Sequence, residues 1–139
     1  MPDALAPSLA LLPDFLEYFA LAIALTIAFS VIYVWATPHR EYALIRANNV
    51  AAATSFAGSF LGFAIPLASA IAHSVGLVDC AVWGLIALIV QILVFFAARV
   101  LINDLPARIE RDERAAAIFA AALSVGVGLL TAACMTYQG

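Results

Sequence analysis

Four apolar stretches, each about twenty residues long, dominate this 139-residue chain. They run from Phe15 to Ala36, Val50 to Ala72, Cys80 to Ile102 and Ala115 to Tyr137. An α-helix needs roughly 20 apolar residues to cross the hydrocarbon core of a bilayer. Inside that core every backbone N–H and C=O must be paired within the protein, so only helices and closed barrels span it. The runs are too long for barrel strands and lack the alternation such strands show. The pattern therefore predicts an all-α integral membrane four-helix bundle. Composition excludes the soluble alternatives. Hydrophobic residues make up 66% of the chain and charged residues 11%, against about 45–50% and about 25% in soluble domains. A disordered tail, a nucleic-acid binder and an ordinary cytosolic enzyme are excluded on that ground.

The first stretch reads as a retained helix. A cleavable signal begins with positive charge, whereas Asp3 and Asp14 come first here and nothing basic occurs before Arg40. All basic residues are arginines. Arg40 and Arg46 lie between helices one and two, Arg108, Arg111 and Arg114 between three and four, and Arg99 at the adjoining helix end. The amino-terminal segment, the link from His73 to Asp79 and the carboxyl tail carry none. The positive-inside rule then places the arginine-bearing links in the cytoplasm and both termini outside. Asp14 with Glu17 has capping-box spacing for the first helix, and Asp79 is placed to cap the third. Pro38 and Pro106 fall in the links, where proline does least harm. Trp35, Trp83, Tyr18 and Tyr137 fall near helix ends, as interfacial aromatics do.

The second half echoes the first at an offset of 64 residues, which sets Ala51-Ala52-Ala53 on Ala115-Ala116-Ala117 and Gly62 on Gly126. The same offset lays helix one on helix three. Both hairpins start on the same side, so the repeat is parallel, about an axis along the membrane normal. The expected division is a short amino-terminal segment (1–14), a first hairpin (15–72) and a second (73–139), forming one compact domain.

A series of motifs occurs in order: Thr37-Pro38-His39, Asn48-Asn49-Val50-Ala51-Ala52-Ala53, Gly58 and Gly62, Ile65-Pro66-Leu67, Trp83-Gly84, Gln91, and Ala132-Ala133-Cys134-Met135-Thr136. The series resembles the inner-membrane family called domain of unknown function 350, over nearly the whole chain. The resemblance implies a small four-span bacterial inner-membrane protein with two copies of the domain. It also implies a genetic association with PspA-like membrane-stress proteins and with ATP-grasp or polyamine-synthase-like enzymes, and no known activity. Cys80 departs from the family pattern.

Polar side chains within a bilayer normally face protein or water. Helix two carries Ser55, Ser59, Gly62, Pro66, Ser69 and His73 at spacings of three and four, so all share one face. Asn48 extends this stripe, and Gln91 adds an amide from helix three. Gly58 and Gly62 form a GxxxG, and Gly126 and Gly128 lie on helix four. Two uses fit the stripe. Small residues let helices approach closely and exchange hydrogen bonds. Alternatively the stripe lines a narrow path, with Pro66 freeing a carbonyl. No acidic or basic residue falls near a predicted midplane, against a proton pump or voltage sensor. There is no TVGYG filter, P-loop, HExxH or GxSxG, and nothing calls for a cofactor.

His73, Cys80, Cys134 and Met135 fall near one membrane surface. Soft ligands of this kind suit Cu(I) or zinc. A Cys80–Cys134 disulfide and plain apolar packing are the other readings. The stretches His39–Asn49 and Asn103–Arg114 offer a surface for headgroups or a peripheral protein. The expected function is a non-enzymatic, homo-oligomeric anchor or sensor component of a membrane-stress system, embedded in lipid with a cytoplasmic stress-protein partner. The alternative is a small ion or polar-solute channel or transporter using the helix-two stripe.

Overall fold

The computed structural model describes residues 2–36 and 41–136, with side chains over 5–35 and 43–135. The expectations placed on Pro38, His39, Arg40 and Tyr137 lie outside the described residues. Seven helices occur among them: α1 (Pro2–Ala10), α2 (Leu12–Ala36), α3 (Glu41–Arg46), α4 (Val50–His73), α5 (Leu77–Leu101), α6 (Leu105–Glu110) and α7 (Arg114–Thr136). Four segments are long and apolar enough to cross a membrane: Leu5–Trp35, Val50–His73, Leu77–Leu101 and Arg114–Met135. The architecture is an all-α membrane helical bundle.

Two helix starts differ from expectation. The first membrane helix does not begin behind an Asp14 cap. Alanine and leucine between residues 4 and 12 are strong helix formers, and the helical path continues upstream of Asp14. The Phe15 N–H donates to the Leu11 carbonyl at 3.0 Å and the Leu11 N–H to that of Ser8 at 3.2 Å. Asp14 instead sits in the first turn of α2. Asp79 is not the cap of α5, which is Gly76. Three residues further on, its carboxylate reaches back and accepts the Val75 N–H at 3.1 Å.

The repeat is visible in the backbone. An offset of 64 residues carries α3 onto α6 end for end and sets the start of α4 on the start of α7. The turns between them match as well. Asn48 and Asp112 hold equivalent positions and both adopt left-handed backbone, with φ of 67° and 58°. Asn and Asp tolerate this region better than other side-chain-bearing residues. The Asn49 N–H closes on the Leu44 carbonyl at 2.9 Å, and the Glu113 N–H on that of Arg108 at 3.0 Å.

The two equivalent helices α4 and α7 run side by side in the same direction and form the most extensive contact of the fold. Helix α5 lies against both, and α2 packs on α5 and α4. The wider part of the core is aromatic. Phe29 and Phe63 stack at 4.8 Å between centroids, and Tyr33 meets Phe95 and Phe56 edge-on at 5.4 and 5.6 Å. Stacked and edge-on pairs of this kind add to packing beyond their area. Towards the arginine-bearing turns the core changes character. There Ala51, Ala52, Ala98, Ala116 and Ala117 leave room for Leu105 and Ile109 of α6, both fully buried. Arg99, near that end of α5, lies over the Phe95 and Phe96 rings at 5.9 and 5.8 Å, within cation–π range.

Candidate functional site

The polar stripe of α4 faces α7. At Gly58 a Cβ would collide with the backbone and Cβ of Ala121. At Gly62 it would collide with the Ser124 carbonyl and lie 2.7 Å from Gln91 Oε1. At Gly128 it would collide with the backbone of Gly62. These three glycines set the separation of the two helices, as small residues do in membrane interfaces. Gly126 differs, since a Cβ there would meet nothing within 4 Å. Its repeat-equivalent, Gly62, is the tightly packed one of the pair.

Hydrogen bonds run along the same seam. Tyr33 and Ser55 join their hydroxyls at 3.2 Å in the interior. Ser59 is buried one turn further on. Gln91, only 3% exposed, donates through Nε2 to the Ser124 carbonyl at 3.1 Å. Its Oε1 is buried without a hydrogen-bond partner. Pro66 is fully buried and α4 continues through it. Ser69 donates to the Ala132 carbonyl at 3.3 Å. The structure thus brings Ser55, Ser59, Gly62, Pro66, Ser69 and Gln91 to the bundle interior or its edge.

Asn48 does not extend the stripe. It is the exposed left-handed residue of the α3–α4 turn. Its neighbour Asn49 has the structural role. Asn49 Oδ1 accepts the Ala52 N–H at 2.8 Å and caps α4. Asn49 Nδ2 donates to the carbonyls of Ile109 and Glu110 at 3.0 and 3.2 Å. In return Asp112 Oδ1 accepts the Ala51 N–H at 2.8 Å. One amide and one carboxylate therefore pin the two halves together at the arginine-bearing end. The signal was present as an Asn-Asn pair before an apolar run, but the sequence does not say which asparagine turns and which caps.

At the Glu113 turn, Arg108 Nε and Arg111 Nε donate to Glu113 Oε1 and Oε2 at 3.0 and 2.7 Å. The two guanidinium groups, Arg111 foremost, hold this carboxyl below the usual glutamate range. A lowered folded pKa stabilises the fold at pH above the ordinary glutamate value, and the effect is lost as pH falls through the lowered one. Glu113 is solvent-accessible, so salt screens the effect. Melting midpoints of the wild type and Glu113→Gln are expected to differ slightly at neutral pH and low salt. The gap should close on acidification or in about 1 M salt, and a gap that widens in acid would contradict the assignment.

At the opposite end, His73 and Met135 line one cavity and Cys134 and Met135 another. Cys80 is buried and Cys134 exposed, and both are free thiols. Among the described residues no three His, Cys, Asp or Glu side chains gather to hold a metal ion. The imidazole of His73 turns back on its own helix, with Nδ1 3.0 Å from the Ser69 carbonyl. Met135 is buried in the aromatic core.

Four membrane-crossing helices around a hydrogen-bonded seam define a multi-pass α-helical membrane protein. The profile of the family described as Domain of Unknown Function (DUF350) matches residues 7–135, and the chain belongs to that family. The UPF0719 inner membrane protein YjfL of Escherichia coli (strain K12) is 41% identical over 123 residues, covering 88% of this chain and 93% of that protein. The protein of the same name from Escherichia coli O157:H7 matches to the same extent. No solved structure matches.

Proposed function

We propose that this chain is a non-conducting, non-enzymatic inner-membrane component. In this reading it oligomerises in the bilayer and uses its arginine-bearing end, facing the cytoplasm, to hold a peripheral partner of the membrane-stress kind. One observation carries the reading. The middle of the α4 face that offered a path for solute packs on α7, with Gly58 against Ala121 and Gly62 against Ser124 and Gly128. Backbone contact at these two successive turns supports packing between α4 and α7 over a path between them. The partner class rests on the family resemblance. The charged turn of Arg108, Arg111 and Glu113 supports a docking role at that end, since it holds its side chains in fixed, exposed positions. The inner-membrane location follows the relatives, inner membrane proteins matched over 93% of their length. The second reading, a polar-solute pathway, draws on the unpartnered Gln91 Oε1.

Proteoliposomes holding the full chain should be no more permeable to small ions than empty liposomes. From detergent-solubilised membranes, wild type should capture a cytoplasmic partner that Arg108→Ala/Arg111→Ala releases. Ion flux that Ser59→Leu abolishes would favour the pathway. Capture indifferent to both arginines would sink the docking role.

A further inference from the structure

At the end remote from the arginines, the α4–α5 turn and the end of α7 form a half-open cavity of about 200 Å³. Its lining includes Ser69, His73, Ser74, Asp79, Trp83 and Met135. We propose that this cavity is a binding site for a primary ammonium group.

The chemistry follows from which atoms are already used. A carbonyl oxygen can only accept, so His73 Nδ1, 3.0 Å from the Ser69 carbonyl, carries a proton and donates it. On that tautomer Nε2 is the ring nitrogen left to accept. Asp79 spends Oδ2 on the Val75 N–H at 3.1 Å, which leaves Oδ1 as a charged acceptor. The Ser74 hydroxyl is buried with the Cys80 thiol beside it and no oxygen or nitrogen partner. A buried hydroxyl without a good partner carries a desolvation penalty that a ligand can relieve. The cavity thus holds three acceptors and one negative charge. The sequence places no lysine or arginine between residues 47 and 98 or after residue 114, so no fixed cation competes for them. Trp83 adds an aromatic surface of the kind cations seek.

A primary ammonium carries one positive charge and three N–H donors, which matches this set. A quaternary ammonium has the charge and no donor, so it would leave Ser74 and His73 unsatisfied. A bare divalent cation needs several oxygen or nitrogen ligands, and no such cluster occurs among the described residues. The cavity lies at the end of the membrane-crossing helices, the depth of lipid headgroups. The ammonium can therefore come from phosphatidylethanolamine or from a small soluble amine.

The test uses the full chain in detergent. Native mass spectrometry titrates phosphatidylethanolamine against phosphatidylcholine, and the histidine ¹⁵N signal of His73 is followed as ethanolamine or choline is added. Asp79→Asn keeps an oxygen for the Val75 N–H, and the exposed His73→Gln provides a second variant. Wild type should retain phosphatidylethanolamine over phosphatidylcholine by about tenfold or more, as a charge-assisted contact allows. Both variants should lose that preference while keeping their melting midpoint. A His73 response to ethanolamine without lipid preference assigns the source as a soluble amine. Lipid preference without that response assigns it to the headgroup. Equal retention of the two lipids together with an equal His73 response to choline and ethanolamine, or a preference unchanged in both variants, overturns the proposal.

Discussion

Replacing Gly62 by alanine is expected to destabilise the bundle by roughly 1–3 kcal/mol, the range for overpacking a close-packed interior. The same change at Gly126 should be neutral or stabilising by up to about 1 kcal/mol. The two glycines are repeat-equivalent and differ only in what faces them. The new methyl at position 62 meets backbone of α7, which cannot step aside without parting the helices. At position 126 the methyl enters open space, and alanine holds a helix better than glycine does. Gly58, opposed by the Ala121 backbone, should behave like Gly62. Thermal or denaturant unfolding in one detergent ranks the three variants. Equal losses at positions 62 and 126 would mean that α7 does not seat on α4 as described.

The second large effect is expected at Asn49. Its amide caps α4 with one end and bridges to the Ile109 and Glu110 carbonyls with the other. Asn49→Asp preserves the cap, because aspartate is as good a cap as asparagine. It removes both cross-links and turns a carboxylate oxygen towards two carbonyls. The Ile109 carbonyl keeps the Asp112 N–H at 2.9 Å and the Glu110 carbonyl is open to solvent, so the loss is about 1 kcal/mol, the net worth of a hydrogen bond. Asn49→Ala loses the cap too, adding about 1 kcal/mol. The ordering alanine, aspartate, wild type in rising stability is the result to check. An aspartate variant as stable as wild type would show the bridge to be incidental. Asp112→Asn, which can still accept the Ala51 N–H through its carbonyl oxygen, should be milder than either.

The spans were legible because the bilayer fixes their length. Starts expected at Val50 and Ala115 fall at Val50 and Arg114. The amino-terminal helix was not, because Asp14 and Glu17 imitate a capping box within a segment that is helical on both sides. The helices α3 and α6 escaped notice because six residues carry too little periodicity to read. Of the helix-packing glycines, Gly58, Gly62 and Gly128 meet backbone, while Gly126 meets nothing within 4 Å. Helical spacing says which residues share a face and nothing of whether a neighbour covers it. Asn48 and Asn49 differ for a related reason. Either residue type can turn or cap, and the register of the turn, set by bonds to Leu44 and Ile45, decides which does.

The halves have diverged at one telling position. Where the first carries Asn49, the second carries Glu113, which cannot donate to a carbonyl and binds arginines instead. One amide thus does for the pair of turns what two would do in a symmetric arrangement, and the position opposite it serves as an acidic clasp.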